Sequence, residues 1–435
     1  MANTFQPNKL TDLIAVRAAE SAAYANIGAR SYLADQLRPN MRNDSTEYTF
    51  VVKDNGKYVG GKTALTNDDI SEIKERPVKA HLQHGNIVIK TDMITDVLEA
   101  NWDKEIAIPN GKAIAEGFVA DCIKNDLGRQ NIAFVGTGFL PLSKASRALG
   151  SITSDARYGF IDPMIDSVLA TVGKGFDPIN ADPIASKGVY GKFAGTEFRE
   201  QQFLPSIEIS VDLANELSSA TVSGFVQAEG AVTATLKLSG VTKVIPAGTP
   251  LFVDGIYATN LVGNKMSFLK AFIAIEDATS GTVTVRAVDF AGQGTKEAVK
   301  ADGSNVEVAD FGGKKLVNPI AAGTYYTGII RVEGAQEFDT LKKVDWSNAD
   351  QTSDSVEGFT IHEGRVVDIL AGTNVTRWYV GGVSQCIEPR GACLVLVKDS
   401  QPNLATLYAS VRVEKLIRGM KVKGVHRKVQ HRPTR

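Results

Sequence analysis

The chain has 435 residues, of which 43% are hydrophobic and 22% charged, ordinary globular proportions with room for two or three domains with buried cores. Its 48 basic and 49 acidic residues leave a net charge of −1, which argues against a dedicated nucleic-acid binder held to phosphate by a strong global field. Cys122, Cys386 and Cys393 are an odd set, read as reduced thiols of a cytosolic protein. No basic stretch leads into an apolar core at the start of the chain, and no apolar run nears the roughly 20 residues of a spanning helix, so neither an export signal nor a membrane span is expected.

Residues 10–33 read as a helix, with Leu10, Leu13, Ile14, Tyr24 and Ile27 recurring among alanines and no proline before Pro39. Its apolar face is thin and needs a partner to lie on. Residues 47–89 turn extended: 48–52 alternate, Asp54-Asn55-Gly56 marks a turn, Tyr58-Val59 resumes, and residues 84–89 return after a charged stretch with Asp68, Asp69, Glu72, Lys74, Glu75 and Arg76. The pattern predicts a long projecting hairpin whose apolar surface a monomer covers poorly.

A helix is predicted over 92–102, with Ile94, Val97 and Leu98 on one side. A longer one follows Pro109: Ile114, Phe118 and Cys122 at spacing four adjoin Ala115, Val119, Ile123 and Leu127, and Gly128 supplies a stop. Residues 158–161 form a short strand. Asp162 then offers an N-cap oxygen and Pro163 occupies the first helical position, ahead of a face made by Ile165, Val168, Leu169 and Val172.

Between Ser219 and Ile320 the texture becomes all-β, with strands predicted at 232–238, 251–256, 271–275 and 282–287, glycine-bearing turns between them, and no His, Cys or Trp. That composition describes a module without catalytic chemistry. Strands resume at 325–332, 359–361, 365–369, 393–397 and 406–413; in the last, Leu407, Ala409, Val411 and Val413 alternate with polar residues. The resulting division is an N-terminal helical arm (1–45), an extended hairpin (46–90), a main α+β body in two parts (91–213 and 323–413), an inserted β domain (214–322) and a basic tail (414–435).

Gly56-Lys57-Tyr58-Val59-Gly60-Gly61-Lys62-Thr63 fits the phosphate-loop pattern in full, with Lys62 reaching phosphates and Thr63 ligating magnesium in that reading. A phosphate loop opens directly into a helix, however, and here the first glycine sits in an Asn-Gly turn, so a turn-rich hairpin is favoured. Gly136-Thr137-Gly138 after an apolar run imitates a dinucleotide-binding turn, but Pro141 holds the third glycine position, and a strand with a glycine loop is expected instead. His81 and His84 read as solvated loop residues, and His362-Glu363-Gly364 as a turn between strands. Cys386 and Cys393 flank Pro389-Arg390-Gly391 without a nucleophile elbow or metal spacing. No catalytic residue, metal or cofactor is expected. In the tail, Lys415, Arg418, Lys421, Lys423, Arg427, Lys428, Arg432 and Arg435 stand with no acid after Glu414, as a solvated tail or as a basic arm that meets nucleic acid or an acidic neighbouring subunit.

In its order of elements the chain resembles the major capsid proteins of tailed bacteriophages, the Hong Kong 97-like fold. The elements that carry the likeness are the helical arm, the projecting hairpin, the long helix, the unit Tyr158-Gly159-Phe160-Ile161-Asp162-Pro163-Met164-Ile165 and the closing strands. The block from Val244 to Val285 looks like the β domain inserted in the coat proteins of short-tailed Salmonella phages, while the basic tail beyond Val413 departs from that branch. The resemblance implies a non-enzymatic subunit of an icosahedral virion shell, assembled as pentamers and hexamers in the host cytoplasm. Its implied partners are copies of itself, a scaffolding protein, a portal protein, a decoration protein in some shells, and packaged double-stranded DNA, without a membrane. The alternatives are a nucleotide-binding protein using residues 56–63, or a tail or fibre component.

Overall fold

The structure, a computed structural model, describes residues 22–30, 47–53, 75–92, 108–165, 189–228, 231–290, 296–341, 350–356, 358–368 and 373–399. After a single helical turn, α1 (Ala23–Asn26), the longest described helix is α2 (Ile108–Asp126). It buries Ile114, Ala115, Phe118, Val119, Cys122 and Ile123 along one stripe, as the spacing predicts. Phe118 meets Phe359 and Phe338 edge-on, at 5.6 and 6.4 Å between ring centroids. Gly128 follows at φ +91°, where an added Cβ would lie 2.9 Å from Ile275, so both backbone and space require glycine at this stop.

Two mixed sheets pack around α2, and the fold is α+β. The first holds β1 (Ala29–Arg30), β17 (Gln336–Thr340), β20 (Thr373–Cys386), β19 (Phe359–Asp368) and β18 (Asp350–Val356) in that order, with β4 (Gln83–Asp92) also on β20. The second runs β5 (Ile132–Thr137), β21 (Ala392–Lys398), β16 (Gly323–Val332), β6 (Arg157–Ile161), β8 (Thr196–Glu200) and β7 (Val189–Phe193), with β9 (Ser206–Ile209) also on β16. Strand β21 reads Cys-Leu-Val-Leu-Val because both its faces are covered. Leu394 and Leu396 join the core around α2, while Cys393, Val395 and Val397 pack with Leu142, Ala145 and Leu149 of helix α3 (Leu140–Ile152).

Residues 221–300 form two three-stranded sheets: β10 (Thr221–Val226), β11 (Thr233–Ser239) and β14 (Thr282–Arg286), and β13 (Lys265–Ile273), β12 (Pro250–Thr259) and β15 (Ala298–Lys300). A short helix, α4 (Val211–Ser219), leads in, its first turn capped by Ser210 Oγ accepting from Leu213 N at 3.2 Å. Four phenylalanines fill the space between the two sheets: Phe225 stacks on Phe311 at 4.4 Å, and Phe272 and Phe290 meet Phe311 edge-on. The chain leaves for this block after β9 and returns in β16, and these two strands pair antiparallel with Ile209 opposite Gly323. Packing, however, is continuous across the boundary. Gly248 lies against Leu127 and Ile207, Phe134 meets Phe268 at 5.3 Å, and Ala271 N donates to Asn131 O at 3.0 Å.

Several sequence expectations are corrected. Of residues 10–33 the structure describes 22–30, and there the helix stops at Asn26; Ala29–Arg30 instead pairs parallel with β17. The hairpin closes earlier than predicted. Strand β2 (Glu47–Lys53) pairs along its whole length with β3 (Glu75–His81), whereas residues 84–89 belong to β4 and pair with β20. Pro77 is tolerated in β3 because a strand of a two-stranded ribbon has one side free of ladder bonds. His362-Glu363-Gly364 is not a turn but the middle of β19, where the buried Glu363 accepts a hydrogen bond from Trp378 Nε1 at 3.3 Å. His84 is not a loop residue either: it lies in β4, half-buried, with Nδ1 2.8 Å from the Tyr379 hydroxyl. Helix α3 was not anticipated, because Pro141 reads as a break in a glycine motif rather than as a first-turn proline. The predicted helix beyond Asp92, the helical face beyond Ile165 and the strand at 406–413 lie outside the described residues.

Candidate assembly surface

The basic residues Lys415, Arg418, Lys421, Lys423, Arg427, Lys428, Arg432 and Arg435, and the phosphate-loop pattern at 56–63, lie outside the described residues. Asp162 is placed as its position suggests: Met164 N donates to its Oδ1 at 2.7 Å. The loop after β5 is the strand-to-glycine turn expected of Gly136-Thr137-Gly138.

A buried polar cluster lies at the C-terminal end of α2. Asp126, one turn beyond Cys122 on α2, is 1% exposed and accepts from Tyr24 Oη at 3.1 Å, Gln336 Nε2 at 2.7 Å and Cys386 N at 2.7 Å. Burial raises its pKa against the pull of the Cys386 amide, Arg331, Gln336 and Arg129. Arg331, 1% exposed, donates through Nη2 to Tyr24 O and Ile27 O, and its guanidinium lies 5.0 and 4.8 Å from the Tyr24 and Phe160 ring centroids. The N-terminal segment is thereby tied to α2 and to both sheets. All three cysteines are buried free thiols. Burial pushes the Cys122 and Cys393 thiols well up and Cys386 to about 12, which keeps them un-ionised and unreactive near neutrality. Among the described residues no group of three or more His, Cys, Asp or Glu side chains could hold a metal ion, and no helix is long and apolar enough to cross a membrane.

Two further features concern strand edges. The β2–β3 ribbon pairs with no other strand among the described residues. Strands β5 and β13, each last in its own sheet, touch at the Ala271–Asn131 bond and bound a cleft of about 890 Å³. Half-buried Phe134, Phe252, Tyr257 and Phe268 line that cleft, with Lys144 and Lys398 beside them. Asp126, Arg331 and Gln336 escape a sequence reading that looks for catalysis; an acid continuing the Phe118–Cys122 stripe was the available signal.

No family model matches the chain, and no curated protein matches it. Among solved structures, the chain is similar to the capsid of Ralstonia phage GP4, at 7% identity over 88% of this chain and 90% of that chain, with a TM-score of 0.42. It is likewise similar to the mature capsid of bacteriophage PhiM1, at 10% identity over 86% and 88% of the two chains and a TM-score of 0.36. A virus-like particle from Pyrococcus furiosus gives 6% identity, 88% and 98% coverage and a TM-score of 0.34.

Proposed function

We propose that the chain is a shell-forming subunit, a major capsid protein of the tailed-phage type that assembles as pentamers and hexamers into an icosahedral shell around double-stranded DNA. The observation that carries this reading is the β2–β3 ribbon, seven paired residues on each strand that no third strand joins among the described residues. A lone two-stranded ribbon is marginal in water. A subunit that keeps one is suited to lay it on a neighbour, in a heterologous contact that closes only around a ring. The sequence of ribbon, long helix, strand–Asp-Pro turn, β block and closing strands is also the order on which the resemblance to capsid proteins rests. In this reading the partners are other copies, a scaffolding protein, a portal protein and packaged DNA, the last met by the basic tail. The chain then resides in the virion after assembly in the host cytoplasm.

Electron microscopy of the purified chain, alone and with its co-expressed neighbours, tests the proposal. Round shells are expected, and replacing residues 47–81 by a flexible linker should leave a soluble subunit that forms none. Tubes, elongated trimers, or a stable monomer that hydrolyses ATP would overturn it.

A further inference from the structure

The junction between the β block and the body holds an ammonium group without an ionic partner of its own. Lys270 on β13 is 2% exposed; its Nζ lies 5.7 Å from the Phe272 ring centroid, and no hydrogen bond or ion pair reaches it among the described residues. The acid that acts on it, Glu297, is itself buried and is engaged by both Nη groups of Arg286, Nη1 reaching Oε1 at 3.0 Å and Nη2 reaching Oε2. Arg286, on the neighbouring strand β14 and 10% exposed in its pair with Glu297, is a second cation whose charge acts on Lys270. From the body, Arg129, Glu388 and Cys386 act electrostatically on Arg286, and Arg390 is taken by Glu388 at 2.8 and 2.9 Å. Lys270, Arg286, Arg129 and Arg390 are thus set against Glu297, Glu388 and Asp289, with Asp126 acting on Arg129 from the body. The residue next to Lys270 makes the backbone bond that crosses the junction, Ala271 N to Asn131 O, and Asn131 Nδ2 donates to Glu297 O at 3.1 Å.

We propose that Lys270 makes the attachment of the β block to the body pH-dependent: the junction closes fully on the neutral amine and loosens when the ammonium forms beside Arg286. Burial first, and Arg286 second, lower the Lys270 pKa to about 7, with Glu297 opposing. In an opened, hydrated junction the group returns to its ordinary value of about 10.4. The open form then binds the proton more tightly. Opening is favoured as pH falls from about 10 to about 7, and levels off below that, where both forms are protonated.

Amide hydrogen exchange of the full chain at pH 7, 8 and 9, corrected for intrinsic rates, tests this. Protection of the Ala271 amide should rise roughly tenfold or more from pH 7 to pH 9, while amides of β11 stay level. Lys270→Met should hold Ala271 protected at all three pH values. Lys270→Arg, which cannot shed its proton, should leave it poorly protected throughout. A level wild-type profile, a parallel rise in β11, or an unchanged slope in Lys270→Met would overturn the proposal. If neither variant folds, the wild-type profile decides alone.

Discussion

The Tyr24 hydroxyl donates to Asp126 Oδ2 at 3.1 Å, joining residues 102 positions apart in the chain. One carboxylate collects three donors, from the N-terminal segment, β17 and β20, at the end of the longest described helix. The Arg331 guanidinium completes the tie by donating to the carbonyls of Tyr24 and Ile27. A charge this deeply buried is tolerated only because its lone pairs are engaged, so the site is sensitive to loss of either side.

Asp126→Ala leaves three donors without an acceptor in a dry interior, and a loss of about 3–5 kcal/mol is expected. Tyr24→Phe removes one donor of three to the carboxylate and should lose less, about 1.5–3 kcal/mol. Urea unfolding of the subunit separates these outcomes. Equal losses would mean that the Tyr24 hydroxyl bond alone accounts for what the carboxylate contributes.

What could be read from the sequence followed from local periodicity. The stripe Ile114–Phe118–Cys122 announced α2, and the four predicted strands of the β block overlap β11 to β14. Asp126 was legible in principle, since an acid four residues beyond Cys122 on an apolar stripe asks for buried partners. Those partners were not: Tyr24 and Gln336 carry no local mark of a contact 102 and 210 residues away. Strand β19 reads from the sequence as two strands, 359–361 and 365–369, because Glu363 and Gly364 look like a turn unless Trp378 is known to sit alongside. In α3, Pro141 signalled a helix start but was weighed only against a glycine fingerprint.

His362 provides a pH dependence. Its Nε2 lies 2.7 Å from Leu341 O, and burial lowers its pKa below the ordinary 6.5 although the carbonyl opposes. A depressed histidine contributes stability above about pH 6.5 that is lost as pH falls through the folded value. His362→Gln keeps a donor for Leu341 and cannot titrate, so its urea midpoint should fall less than that of the wild type between pH 7 and pH 5. Asp126, raised rather than lowered, acts in the opposite sense but is common to both proteins and cancels in the comparison. Identical pH profiles would remove His362 from the account.

Phe311 touches Phe225, Phe272 and Phe290 and is fully buried, so Phe311→Ala should cost about 3–5 kcal/mol. Because the apolar core runs without a gap from α2 into the β block, the loss should appear as a lower midpoint of one cooperative transition. Calorimetry that shows two transitions, with only one displaced by the substitution, would establish that the block unfolds on its own.

The same continuity bears on removal of the block. Ile209 and Gly323 are directly opposed in the β9–β16 ladder, so a short turn could join them and residues 210–322 could be excised without straining the backbone. Backbone closure is not the obstacle. Excision strips Ile275 from beside Gly128 and Phe268 from Phe134, and it bares Leu127 and Ile207 at the place Gly248 now covers. Exposed apolar surface of that kind favours association over folding. The shortened chain should therefore accumulate insoluble, or soluble with strong binding of a hydrophobic dye and no cooperative unfolding. A soluble, cooperatively folding body would show that the contacts across the junction are dispensable to the rest of the subunit.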